Sequence, residues 1–287
     1  MNLAVALLDE HPSARPRGMT TWGSWGVHPW SEPTTLATDE VVLAPGTQRI
    51  LVLTSETGRP HAEIVAATVA AARPEVAVRV AVLPVSTAVL VRAVELVPEG
   101  VVGANAVLAD VTARVAAMTW GAWLPTVAKL ESPAPSLRQH VQSWLRNSAG
   151  YLAVHGDPGW VARLPISQLE PERRLSRIPP RGLVATAYEC HSFGELPEPA
   201  IAALFAMGLT NRPVRREPLG RTDRVWGTSK AVEVVVSWPG PAELEPPDGR
   251  CPICEDLVWG EACAFCRAKA VADPSIIPYS STPGVAS

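Results

Sequence analysis

Near the C-terminus, Cys251-Pro252-Ile253-Cys254 and Cys263-Ala264-Phe265-Cys266 place two Cys-x2-Cys pairs eight residues apart. A metal–thiolate bond is about 2.3 Å long, and a tetrahedral ion needs four sulfurs converging on one point, which two tight turns facing each other across a short hairpin supply. The spacing therefore predicts one structural Zn2+ held by Cys251, Cys254, Cys263 and Cys266. Disulfides, a redox dithiol and an iron tetrathiolate are the alternatives. The start of the chain has no basic region ahead of its apolar run, which argues against export and hence against stable disulfides. A redox Cys-x-x-Cys stands singly before a helix, whereas here the motif is doubled.

The stretch from Cys251 to Cys266 resembles the zinc-ribbon family, in which two knuckles are bridged by a β-hairpin. It departs from the commonest form at the residue after each second cysteine, where Glu255 and Arg267 replace glycine. The resemblance covers only this last module. It implies a unit that binds nucleic acid, binds a protein partner or staples a fold.

The elements that must position such a module are legible in the apolar pattern. With 287 residues and 47% hydrophobic content, the chain can bury a sizeable core and is not a disordered protein. Arg49 to Thr54 and Val76 to Leu83 read as strands, His61 to Arg73, Thr87 to Val97 and Ala104 to Ala117 as helices, with Pro74 stopping the first. Strands alternating with helices predict an α/β fold, a largely parallel sheet built from βαβ units over 1–156. Residues 157–238, with strands at Gly182 to Cys190 and Ala231 to Trp238 and a helix from Pro199 to about Leu209, predict a second, smaller α/β piece with Arg-rich loops. Pro239 to Arg250 reads as a semi-stiff tether, and 251–287 as the zinc ribbon with a disordered tail. The apolar run from Ala62 to Val97 is broken by charges and prolines, so no membrane span is expected and residence in the cytoplasm is.

Other constellations offer weaker chemistry. Thr54-Ser55-Glu56-Thr57-Gly58, where a strand enters a helix, presents hydroxyls and helix-end amides to an anion. The string Leu53 to Gly58 also resembles the phosphate loop that opens flavodoxin-like domains, which implies Ser55, Thr57 and Gly58 as cofactor-binding residues. Ser86 and Thr87 would line the same sheet edge if the two strands are neighbours. Cys190-His191 joins nucleophile and base types, but adjacent residues of an extended chain point oppositely, so a catalytic pair needs a bend or another partner such as His155. Arg173, Arg174, Arg177 and Arg181, with Arg212, Arg215, Arg216, Arg221 and Arg224, could meet nucleic-acid phosphates, with Trp226 for stacking, although Glu170, Glu172, Glu217 and Asp223 dilute the charge. Net charge is −3, which gives no global reason to expect nucleic acid. Trp22, Trp25 and Trp30 cluster in one loop, as partner anchors or core plugs.

Together these features predict an accessory or adaptor protein whose ribbon docks onto a macromolecular partner through Leu257, Val258 and Trp259. The partner is expected to be a protein, with a nucleic-acid-handling assembly as one setting for it. The alternative is an enzyme holding a nucleotide or flavin phosphate near Thr54 to Gly58, with a purely structural ribbon.

Overall fold

Arg49-Ile50-Leu51-Val52-Leu53-Thr54, the densest β-branched and aliphatic run of the first half, lies in strand β3 (Thr47–Ser55), inside a parallel sheet. The computed structural model describes residues 2–8, 27–30, 47–98, 101, 103–144, 149–166, 184–188, 195–216 and 222–274. With β1 (Asn2–Leu8), β2 (Val27–Trp30) and β4 (Ala77–Leu83), β3 forms a four-stranded sheet in the order β2-β1-β3-β4, every pair parallel. Successive side chains of β3 alternate between faces. Ile50 and Val52 meet Ala62, Val65 and Val69 of helix α1 (Arg59–Ala72) on one side. Leu51 and Leu53, with Leu83, face helices α2 (Thr87–Glu95) and α3 (Ala104–Ala117) on the other. A sheet covered on both faces needs strands apolar on both, which is what this run supplies.

The second sheet corrects the expectation of a largely parallel architecture. Its six strands are β5 (Thr119–Leu124), β6 (Tyr151–Val154), β7 (Trp160–Arg163), β8 (Val184–Tyr188), β9 (Val214–Arg216) and β10 (Val232–Ser237). They are ordered β7-β6-β5-β10-β8-β9, and only the β8–β9 pair is parallel. The reason lies in the connections. A parallel crossover needs a helix packed on the sheet, whereas α4 (Leu137–Ser143), between β5 and β6, buries none of its residues. Alternation of strand and helix along the sequence does not by itself report the direction of pairing. β10 comes late in sequence yet sits between β5 and β8, where its six residues are all buried.

Helix α5 (Glu198–Met207) packs Ala200, Ala203, Leu204 and Met207 against Trp123, Leu152, Val232, Val234 and Val236 on one face of this sheet. On the other face lie Ala122, Leu124, Tyr151 and Ala153, with Trp226 of the short α6 (Thr222–Trp226). Val235 belongs to the same apolar cluster as Leu51, Leu53 and α2. Helix α2 is thus a shared middle layer: Ala88, Val89, Leu90, Val91, Ala93 and Val94 are all buried, as expected of a helix apolar on more than one face. No helix among the described residues is long and apolar enough to cross a membrane.

The strand expected over Gly182 to Cys190 is described as Val184–Tyr188. The expected tether is bonded along its length. Arg114 Nη1 donates to the Gly240 carbonyl at 3.0 Å, Trp259 Nε1 to the Glu245 carbonyl at 2.7 Å, and the Asp248 amide to the Val258 carbonyl at 2.8 Å.

Candidate metal centre

The segment after Asp248 folds as two small turns, each bounded by short strands. β11 (Gly249–Arg250) pairs antiparallel with β12 (Leu257–Val258), enclosing the first cysteine pair. A bridge between Ala262 and Lys269 encloses the second, and one between Arg250 and Val271 closes the ends of the module around both. Each knuckle is therefore the turn of its own hairpin, in place of one hairpin bridging both.

The two turns repeat one hydrogen-bond pattern. The Glu255 amide donates to the Cys251 carbonyl at 2.8 Å and the Cys251 amide to the Asp256 carbonyl at 2.9 Å. Twelve residues on, the Arg267 amide donates to the Cys263 carbonyl at 3.0 Å and the Cys263 amide to the Ala268 carbonyl at 2.9 Å. Glu255 (φ 62°) and Arg267 (φ 59°) both adopt the left-handed conformation. These are the positions where glycine was missing from the expected pattern, and the geometry forms without it.

All four sulfurs lie within 4.8 Å of one another, and Cys254 Sγ is 3.7 Å from Cys263 Sγ. A tetrahedron with bonds of about 2.3 Å has edges of about 3.8 Å, so the donor set fits a tetrathiolate-bound ion. Cys251 and Cys263 are buried and Cys254 and Cys266 half-buried. Burial pushes the Cys254 thiol up to about 12. For Cys263 burial also acts upward, but the Cys266 amide, the Asn105 side chain and the Phe265 amide together outweigh it and bring the thiol down to about 7. Without metal, Cys263 is thus the readier of these two thiols to ionise.

The body reaches into this module from three elements. Asn105, in the first turn of α3, donates from Nδ2 to Cys263 Sγ at 3.4 Å and accepts the Ala264 amide on Oδ1 at 3.0 Å. Arg79 of β4 donates to the Ala264 carbonyl at 2.9 Å. Arg49 of β3 is paired with Asp256 at 2.5 Å, and its guanidinium lies 5.7 Å from the centre of the Phe265 ring. Cys251, Val258, Cys263 and Phe265 are buried within the cluster formed by Leu51, Leu53, α2 and α3. None of Arg49, Arg79 or Asn105 stood out in the sequence. A charged residue entering each of two adjacent apolar strands was the available signal.

Ser55, Thr57 and Gly58 are brought together at the strand end, but not as a phosphate loop. Ser55 Oγ and Thr57 Oγ1 bond each other at 2.9 Å, and Glu56 places a carboxylate in the turn that engages Arg59 at 2.8 Å. β3 and β4 do neighbour each other, pairing Ser55 with Leu83, so Ser86 at the start of α2 follows the same sheet edge; its hydroxyl accepts the Val89 amide at 3.4 Å.

His155 stacks on Trp120 at 4.0 Å and meets the Trp226 edge at 5.0 Å; its Nε2 has no hydrogen-bond partner, and burial lowers its pKa. Trp226 donates Nε1 to Glu233 at 2.9 Å, so it is core rather than a stacking platform. Cys190, His191, Trp22, Trp25, Arg173, Arg174, Arg177, Arg181 and Arg221 lie outside the described residues. Arg212 pairs with Glu198, Arg215 with Glu195 and Arg216 with Glu95.

The expected adaptor is overturned on two grounds. Val258, assigned above to a partner, is buried against the body, and Trp259 is bonded to Glu245. At the expected nucleotide or flavin site the Ser55 and Thr57 hydroxyls bond each other and Arg59 is paired with Glu56, so the turn offers no unpaired arginine to a doubly charged phosphate. No protein-family model and no curated protein matches the chain. Among solved structures it is similar to a fatty acid binding DegV family protein from Streptococcus agalactiae, at 10% identity and a TM-score of 0.45, covering 83% of this chain and 99% of that one. It is also similar to a DegV family protein from Corynebacterium glutamicum, at 14% identity and a TM-score of 0.47, covering 84% and 98%.

Proposed function

We propose that Cys251, Cys254, Cys263 and Cys266 bind one Zn2+ in a zinc-ribbon-like module, and that this centre is architectural, holding the C-terminal segment over the exposed edge of the core. The observation that carries it is the convergence of four sulfurs in two turns of matching hydrogen bonding, with Cys251 and Cys263 sealed into the body core. A closed four-cysteine shell leaves no open position for substrate, which marks structural rather than catalytic zinc. The test is metal analysis of the full-length protein with thermal unfolding before and after chelation. One zinc per chain, with a lower Tm on its removal, is expected; an unchanged Tm after complete removal would refute the architectural role.

A second reading concerns the strand-end edge. Ser55, Thr57 and Ser86 gather hydroxyls beside the first turn of α2, above Leu53 and Leu83, while Arg59 is engaged by Glu56. Hydroxyl and amide donors with no unpaired arginine or lysine in this turn among the described residues suit a singly charged carboxylate better than a phosphate. We propose that this edge takes the carboxylate of an apolar acid, such as the fatty acid named for one of the similar structures. Titration of tryptophan fluorescence with oleate tests this, with inorganic phosphate as comparison. Saturable oleate binding, weakened tenfold or more in Ser55→Ala/Ser86→Ala, is expected; equal binding by the double variant would exclude the site.

A further inference from the structure

We propose that the body completes the metal site. Asn105 is a positioning residue for the Cys263 thiolate, and Arg49 with the first turn of α3 offsets the charge of the centre, so that metal affinity and docking of the module are one coupled quantity. The inference rests on the zinc reading above and extends it to residues outside the cysteine motif.

The argument starts from charge. A divalent ion with four thiolates carries a net charge of −2, and burying it without compensation is costly. The compensation visible here comes from the body. Arg49, with a side chain only 11% exposed, pairs with Asp256 and lies over Phe265, and its charge also acts on the Cys254 and Cys266 sulfurs. Arg79 anchors the Ala264 carbonyl, one residue from Cys263. Helix α3, 14 residues long, starts at Ala104 beside the module: Gly103 approaches Asp256 at 3.7 Å when a Cβ is placed on it, and Asn105 touches Cys263. Helix N-terminal amides favour anions.

Asn105 contributes two different things. Its Oδ1 fixes the Ala264 amide, which is a matter of backbone position, and its Nδ2 donates to the sulfur, which is a matter of thiolate charge. It is 6% exposed, and the carboxamide is used at both ends. Donors to ligating atoms raise metal affinity by about 10–100-fold in such outer shells. Because the donors belong to the body, thermodynamic reciprocity requires that zinc strengthen docking by the factor that docking strengthens zinc binding.

The test is zinc competition against a chromogenic chelator, with Co2+ absorption of the same proteins, for full-length wild type, Asn105→Ala, Asn105→Asp and Arg49→Gln. Wild type without stoichiometric metal would refute the zinc reading itself. With one zinc bound by wild type, the inference expects Asn105→Ala and Arg49→Gln to lose about 10–100-fold in affinity. Asn105→Asp keeps the acceptor for Ala264 but sets a carboxylate against the sulfur, so it should bind more weakly than Asn105→Ala and shift the sulfur-to-cobalt band. Wild-type affinity in Asn105→Asp would show that only the backbone tie matters. Affinities within twofold in all three variants would overturn the coupling altogether.

Discussion

Arg49 and Asp256 are 207 residues apart in the chain and 2.5 Å apart in the fold. The pair joins the beginning of a central strand to the first cysteine turn. Both side chains are largely screened from water, at 11% and 21% exposure. Arg49→Leu or Asp256→Asn should each cost about 1–3 kcal/mol, the penalty of stranding one partner of a partly buried charged bond. Urea unfolding of the zinc-saturated protein measures it. The double variant Arg49→Leu/Asp256→Asn should cost less than the sum, and strict additivity would show that the two do not act as a pair.

The left-handed residues in the knuckles give a prediction of opposite sign. Glu255→Gly and Arg267→Gly remove a Cβ at φ 62° and φ 59° without removing the backbone bonds made there. Each should stabilise the protein, after the added flexibility of the unfolded chain is subtracted, by up to about 1 kcal/mol. A fall in Tm for both variants would show that the side chains hold the turns.

Acid should weaken the second sheet through His155. Its pKa is lowered by burial between Trp120 and Trp226, so the folded state holds it neutral while the unfolded chain takes up a proton near the ordinary imidazole value of about 6.5. The unfolded state then binds more protons, and stability falls as pH drops from about 6.5 towards the lowered folded value, with no further contribution from this group below it. His155→Gln should flatten that part of the stability–pH curve. An unchanged slope between pH 7 and 5 in the variant would assign the acid sensitivity elsewhere.

Truncation after Arg250 should not leave an intact body. Val258 and Phe265 cover the cluster containing Leu51, Leu53 and Leu83, and burying a side chain of this size contributes about 1.5–3 kcal/mol. The shortened protein should bind a hydrophobic dye and unfold at lower urea than the full chain. Equal urea midpoints would show that the module adds nothing to the core it covers.

The parallel half was legible because buried parallel strands carry unbroken aliphatic runs, as at Ile50 to Leu53, and because Pro74 ends its helix visibly. The convergence of the four cysteines was legible because their spacing is itself the geometry. The antiparallel half was not, since the Val232–Ser237 run carries no mark of its neighbours, and β10 finds them at β5 and β8 across long stretches of chain. Arg49, Arg79 and Asn105 escaped notice for the same reason. Each acts on a group about 158 to 207 positions away, and a partner at that separation leaves no local pattern.

Helix α2 lies between the two sheets, and the last module roofs the same cluster. During synthesis, therefore, the Leu51 and Leu53 face emerges long before Val235 and longer still before Phe265. Helices α2 and α3 follow β3 closely and cover most of it, but at about 5–20 residues per second the part closed by Phe265 waits roughly 10–40 s after Leu53 is made. Among the described residues, the core is thus completed from the C-terminal side: the two cysteine turns are the last part of this cluster to arrive.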